Sequence, residues 1–127
     1  MKMKKNAITT EKAVKPVGPF STAIEYNGIV YVSGITAIDP KTGVLSGNVE
    51  EQTEKILTIM ANILEVAGSS MNNVLKVTVF LHDVNDFAKV NAVYARHFTT
   101  PFPARICVQV AKIPFDGLVE IDAIAHK

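Results

Sequence analysis

Apolar residues alternate with polar ones in several short segments of this chain, which is the spacing of β-strands. Two such runs, residues 22–26 and 29–34, flank Asn27-Gly28, the strongest short signal for a β-hairpin. Residues 75–81 are largely apolar on both faces, as in a central strand. Residues 105–110 and 119–125 complete the predicted strands.

Two further segments have the spacing of amphipathic helices. Asn48 is placed to cap the first, with Glu51 three residues on as in a capping box, and Gly68 is placed to end it. Asn85 is placed to cap the second. The apolar stripes are Ile56, Ile59, Met60, Ile63, Leu64 and Ala67 in the first helix, and Phe87, Val90, Tyr94 and Phe98 in the second, with Asn91 on the same face.

The predicted order is therefore β-β-α-β-α-β-β, an α+β fold in a single domain of 127 residues. Residues 1–15 are expected to form a partly flexible N-terminal tail. Two helices can cover only one face of the sheet, yet several strands carry apolar residues on both faces. We therefore expect another subunit to cover the second face.

Composition and charge exclude several classes of protein. The net charge is +1, from 13 basic and 12 acidic residues, which gives no general attraction to nucleic acid or to an anionic membrane. One cysteine and three scattered histidines make no zinc pattern, and the single cysteine fits a reducing compartment. No apolar run has the length of a membrane span or the form of a secretory signal. A cytoplasmic location is expected, with an organelle address left open.

The most informative residue is Arg105, at the start of an apolar strand. Burying a guanidinium costs free energy unless an anion pairs with it, and a guanidinium binds a carboxylate through two parallel hydrogen bonds. Glu120 lies among apolar residues in the last strand. The pair indicates either a small site that holds an acid and moves a proton, or a structural ion bridge. The sequence does not decide between them, because a plain hairpin would not place the two residues opposite each other.

Several motifs occur in an order that is typical of one family. They are Gly18-Pro19-Phe20-Ser21, Val32-Ser33-Gly34, Val77-Thr78-Val79-Phe80-Leu81, Asn85-Asp86-Phe87, Val90-Asn91, Phe102-Pro103-Ala104-Arg105-Ile106-Cys107-Val108-Gln109-Val110-Ala111 and Glu120-Ile121-Asp122-Ala123-Ile124-Ala125. Together they resemble the RidA family, also called YjgF or endoribonuclease L-PSP. The resemblance implies a chorismate-mutase-like fold and a homotrimer, with a central barrel and three clefts between subunits.

The resemblance also implies a deaminase without cofactor or metal. Such enzymes hydrolyse reactive 2-imino and 2-enamino acids, released by pyridoxal-phosphate-dependent dehydratases, to 2-keto acids and ammonia. Arg105 would clamp the substrate carboxylate, and Glu120 would position or activate the attacking water. The remaining expected substrate-binding residues are Phe20, Ser33, Gly34, Asn91 and the main chain of Cys107. From the residues alone each of these also has a structural interpretation, and Cys107 is expected to fill space rather than act as a nucleophile.

Two positions depart from the family pattern. Phe20 stands where a tyrosine is common, so a hydroxyl is missing, and Ile35 stands where glutamine is common, which predicts a more apolar pocket rim. Two other functions stay open: a non-catalytic module that binds 2-keto acids or similar carboxylates, and a ribonuclease or translation inhibitor. The neutral charge and the scattered His82, His97 and His126 disfavour the ribonuclease.

Overall fold

The computed structural model describes residues 4–127, which contain six β-strands and two α-helices joined by loops and short 3₁₀ turns. In chain order they are β1 (Asn6–Ile8), β2 (Ala23–Tyr26), β3 (Ile29–Ile35), α1 (Val49–Val66), β4 (Val74–Leu81), α2 (Phe87–Tyr94), β5 (Ala104–Gln109) and β6 (Val119–His126). The strands form one sheet in the spatial order β1-β2-β3-β6-β4-β5. Only β4 and β5 are parallel neighbours; the other adjacent pairs are antiparallel. The predicted α+β class is confirmed, as is the order of elements from residue 22 onward.

The structure adds β1, which lies in the segment expected to be a tail. This strand of three residues pairs with β2. The Thr10 hydroxyl then donates a hydrogen bond to Asn62 Oδ1 on α1 at 2.7 Å. A strand so short has no periodicity that the sequence could reveal.

Helix α1 forms where the sequence predicts it and packs its apolar stripe on the sheet. Asn48 and Glu51 make the expected capping box: the Asn48 side chain accepts from the Glu51 N–H at 2.8 Å, and the Glu51 carboxylate accepts from the Asn48 N–H at 2.9 Å. Ile56, Met60 and Leu64 are fully buried. Both helices contribute to one core on a single face of the sheet.

Helix α2 corrects two predictions. Asn85 does not cap it, because a short 3₁₀ turn, Val84–Asp86, precedes it. The Asp83 carboxylate caps that turn by accepting from the Asn85 N–H. Phe87 is not buried but 44% exposed, since it lies at the start of α2 beside the edge strand rather than over the core.

The two faces of the sheet differ. On the helix face, residues such as Val77, Val79 and Ile121 are buried completely. The other face, here called the open face, carries alternate residues of the same strands, and no helix covers it in the described residues. Ile106 and Val108 of the edge strand β5 project there and are 49% and 40% exposed. The expectation that a second subunit covers this face stays a prediction.

No helix in the described part of the chain combines the length and the apolar character that crossing a bilayer requires.

Candidate active site

Arg105 lies on the helix face of β5, where it pairs in register with Val77. Its guanidinium carbon Cζ is 4.7 Å from the centroid of the Tyr94 ring and 5.5 Å from that of Phe87, both distances within the range of cation–π contacts. None of the ion pairs found among residues 4–127 includes Arg105. The structural ion bridge with Glu120 is therefore not formed within one chain.

A cleft of about 290 Å³ opens beside this guanidinium. It is lined by Asn91, Tyr94, Ala95, Phe102, Pro103 and Arg105. Asn91 and Tyr94 project from α2 three residues apart, and so lie on the same side of the helix. Asn91 thus borders the same cleft as Arg105.

Cys107 follows two residues after Arg105 and projects to the same face, where it packs against the core. Burial raises the pKa of the Cys107 thiol, and the neighbouring Arg105 charge offsets this only in part. The thiol is therefore protonated near neutral pH, which agrees with a space-filling side chain rather than a nucleophile.

Glu120 lies on the open face, in register with Phe80. Its carboxylate lies against Gly34, where a β-carbon would overlap Oε2. Burial, and to a smaller extent the charge of Asp122, raise the pKa of the Glu120 carboxyl. The carboxyl is thus a better proton acceptor than an ordinary glutamate.

Ser33 and Gly34 occupy an irregular stretch of the pairing between β3 and β6. The Ser33 hydroxyl donates a hydrogen bond to the carbonyl of Ser21 at 2.6 Å, and the Ser33 N–H donates to the carbonyl of Thr22. The segment that contains Phe20 is thereby tied to the strand beside Glu120. The ring of Phe20 is 53% exposed.

Ile35 does not lie at a pocket rim. It is buried in the core cluster on the helix face. The irregularity at Ser33 and Gly34 places one extra residue in β3 between the pairs Val32–Ala123 and Ile35–Ile121, and this turns the Ile35 side chain to the helix face. The prediction that Ile35 makes the rim more apolar is therefore wrong for the single chain.

The structure divides the expected site residues into two groups. Arg105, Asn91 and Cys107 lie on the helix side, and Glu120, Ser33 and Gly34 lie together on or beside the open face, with Phe20 in the adjoining segment. The first group can bind an anion, and the second offers a basic carboxylate. Neither group alone combines an anion-binding cation with a basic carboxylate.

The residues that surround the guanidinium do not stand out in the sequence. Tyr94 and Phe87 fall in the apolar stripe of the second predicted helix, which indicates only packing against the core. The cleft also takes Phe102 and Pro103 from the segment before β5. The spacing of Tyr94, three residues after Asn91, is the signal that places it on the same side of α2.

The three histidines lie apart from both groups. His97 Nε2 is 2.8 Å from Glu54 Oε1 on α1, His82 borders a loop cavity near Leu118, and His126 belongs to the end of β6. Within residues 4–127, no three side chains of His, Cys, Asp or Glu gather as metal ligands do.

Comparison with known proteins identifies the family. The family model described as endoribonuclease L-PSP matches residues 10–127. This chain belongs to that family. A RutC family protein of Pyrococcus abyssi is 48% identical over 126 residues, which cover 98% of this chain and 99% of the relative. A bovine relative named 2-iminobutanoate/2-iminopropanoate deaminase is 45% identical over 119 residues, covering 93% of this chain and 87% of that protein.

The fold is shared with solved structures of the family as well. The crystal structure of Escherichia coli TdcF with bound serine has a TM-score of 0.90 and 36% identity, and the match covers 96% of this chain and 98% of that one. The resemblance carried by the sequence motifs is thus confirmed.

Proposed function

We propose that this protein hydrolyses 2-imino and 2-enamino acids to 2-keto acids and ammonium. The family includes relatives named as deaminases of this type, at about the same identity as relatives named only for the family. The family therefore supports the reaction class, and the residues around Arg105 and Glu120 supply the argument for this chain.

The observation that carries the proposal is the guanidinium of Arg105, which lines a cleft and has no carboxylate partner in residues 4–127. A fixed cation of this kind is a receptor for a small anion, and guanidinium binds a carboxylate with two parallel hydrogen bonds. Serine, the ligand in the structure of the relative TdcF, carries such a carboxylate. A 2-imino acid carries the same group beside its reactive carbon.

The second requirement is a base near the bound acid, and in one chain Glu120 is on the wrong face of the sheet. In two copies of the chain, the Glu120 carboxylate of one subunit can lie near Arg105 of the other if the open face of the first packs against the β5 edge of the second. The half-exposed Ile106 and Val108 at that edge are the kind of apolar surface that an interface covers. We therefore place each site between two subunits of a homotrimer, with Arg105 from one and Glu120 from the other.

The reaction then needs only these groups and water. Arg105 holds the carboxylate of the iminium form, while Glu120 takes a proton from a water whose oxygen attacks C2, and the C=N electron pair moves to nitrogen. Glu120 returns the proton to that nitrogen. The C–N bond breaks as C=O forms, and the hydroxyl proton leaves with the amine as ammonium. The raised pKa of the Glu120 carboxyl suits both transfers.

An imine-trapping assay tests this function. An amino-acid oxidase generates a 2-imino acid in the presence of semicarbazide, and the protein competes by converting the imine to keto acid. We expect semicarbazone to form more slowly in proportion to protein concentration, and the Arg105→Ala variant to lose the effect.

Two results would contradict the proposal. One is the absence of any slowing across several small and branched imino acids. The other is full activity in Arg105→Ala protein that circular dichroism shows to be folded.

A second candidate function is binding of 2-keto acids or similar carboxylates without turnover. Phe20 keeps this alternative open, because the family commonly has tyrosine there and the missing hydroxyl removes one hydrogen bond, worth on the order of 1 kcal/mol. Calorimetry with 2-oxobutanoate separates the two functions: heat of binding without imine hydrolysis would establish the binding module.

A ribonuclease, the activity in the name of the family model, has less support here. His97 contacts the Glu54 carboxylate, His82 lies at a loop cavity and His126 lies at the end of β6, so the described histidines form no acid–base pair. Salt-sensitive RNA cleavage by the purified protein would revive this function.

A further inference from the structure

Two aromatic rings face the guanidinium of Arg105. Tyr94 is only 6% exposed and its ring centroid is 4.7 Å from Cζ; Phe87 is 44% exposed and its centroid is 5.5 Å away. Both belong to α2, one near its start and the other at its end. A single rigid element therefore carries both rings.

An arginine that binds substrate must be held without its hydrogen-bond donors being used. Its side chain is long, and fixing it costs conformational entropy at the moment of binding unless the protein has already fixed it. A carboxylate partner would fix it but would also occupy the donors. An aromatic face attracts the cation while leaving the N–H groups, which lie in the guanidinium plane, free.

We propose that Phe87 and Tyr94 form an aromatic clamp that positions Arg105 for the carboxylate of the ligand. The inference rests on the proposed role of Arg105 and extends it to residues that do not touch the reacting atoms. Tyr94 and Phe87 are thus positioning residues that act through Arg105.

The hydroxyl of Tyr94 makes a sharp test possible. It is buried and has no hydrogen-bond partner among the described residues. A clamp needs the ring and not the hydroxyl, so Tyr94→Phe keeps the clamp and removes a buried polar group that no protein group satisfies. Tyr94→Leu and Phe87→Leu each remove one ring. Phe87→Leu changes a half-exposed side chain and leaves the core intact.

The first readout is the NMR signal of the Arg105 Nε–H, which a ring face shifts upfield. The second is the Kd for 2-oxobutanoate by calorimetry, and the third is KM and kcat for imine hydrolysis. For either leucine variant we expect loss of part of the upfield shift and a Kd and KM raised about tenfold, with kcat nearly unchanged, because the clamp contributes equally to bound substrate and transition state. Tyr94→Phe retains the ring and should therefore retain the upfield shift of the Arg105 signal.

Phe98→Leu is the matched control. Phe98 is a buried aromatic residue that packs on Tyr94, with ring centroids 4.6 Å apart, yet it is not over Arg105. Its replacement removes a similar buried volume and should lower the melting temperature as Tyr94→Leu does, while leaving the Arg105 signal and the Kd as in the wild type.

The outcomes are distinct. A leucine variant with an unchanged Arg105 signal and unchanged Kd would overturn the clamp, as would a Tyr94→Phe variant that loses as much of the upfield shift as Tyr94→Leu. If the wild type neither binds 2-oxobutanoate nor hydrolyses imines, the proposed function fails, whereas the Arg105 signal still reports on the clamp.

Discussion

Arg105 and Glu120 project from opposite faces of one sheet. Arg105 pairs in register with Val77 on the helix face, and Glu120 pairs with Phe80 on the open face. Strand β4 separates the two strands, so no side-chain rotation brings the groups together. A site that uses both must take them from two chains.

This arrangement predicts complementation between two inactive variants. Arg105→Ala and Glu120→Gln subunits are each expected to be inactive alone. When they are unfolded, mixed in equal amounts and refolded together, random assembly gives each cleft one chance in four of receiving both intact residues, so about a quarter of wild-type activity should return. The imine-trapping assay measures it.

The control mixes either variant with a subunit that carries both substitutions, which can never supply the missing partner. No recovery in the first mixture, with assembly confirmed by light scattering, would show that Arg105 and Glu120 do not share a site across subunits.

Glu120 should set the acid limb of the pH profile. Burial raises the pKa of its carboxyl, so the group is protonated, and unable to accept a proton, at pH values where an ordinary glutamate is already ionised. We expect kcat/KM to fall on the acid side above the usual range of glutamate, and Glu120→Gln to be inactive at every pH.

The same shift fixes the sign of the stability effect. A carboxyl whose pKa is higher in the folded than in the unfolded state lowers the free energy of unfolding as pH rises through that interval. Glu120→Gln should therefore be no less stable than the wild type at pH 7 in urea unfolding. A marked loss of stability would assign Glu120 a structural role instead.

Gly34→Ala should disable the site through space alone. A β-carbon at position 34 would overlap the Glu120 carboxylate, so that side chain must move. Displacing a catalytic base by about 1 Å costs on the order of 100-fold in rate. We expect kcat to fall while binding of 2-oxobutanoate to Arg105 is retained. An unchanged kcat in Gly34→Ala would show that the space at position 34 does not matter for catalysis.

The contact between His97 and Glu54 should stabilise the fold at neutral pH and not in acid. The hydrogen bond from His97 lowers the pKa of the Glu54 carboxyl, with smaller contributions from Thr58 and Arg96. A depressed carboxyl pKa gives stability that is present above the unfolded value and disappears as pH falls through the folded one. Because Glu54 is half exposed, we expect Glu54→Gln to cost only about 0.5 kcal/mol at pH 7 and nothing at low pH. An equal loss of stability at pH 7 and at low pH would show that the contact between His97 and Glu54 is not the cause.

Local signals were enough to predict most of the fold. The Asn27-Gly28 turn adopts positive φ at both residues, as its hairpin requires, and the capping box of α1 forms as expected. The start of α2 was less predictable, since the 3₁₀ turn Val84–Asp86, which Asp83 caps, precedes the helix and includes Asn85. β1 escaped prediction because three residues show no pattern.

The candidate site residues stand out in the sequence, whereas their arrangement in space does not. Arg105 and Glu120 each stand out as charges in apolar strands. Their separation follows from the insertion of β4 between β5 and β6, a long-range pairing that spacing along the chain does not encode. The position of the Tyr94 ring beside the Arg105 guanidinium was hidden for the same reason, because a buried tyrosine on a helix is by itself ordinary packing.

The exposed edge strand has a consequence for the life of the chain after synthesis. β5 ends the sheet with unpaired backbone groups on one side and with Ile106 and Val108 only half covered. Such an edge is a template for uncontrolled strand addition. A newly made chain is therefore prone to aggregate for as long as that edge stays uncovered, and the yield of active protein in a cell should depend on the exposure of the edge as well as on the stability of the fold.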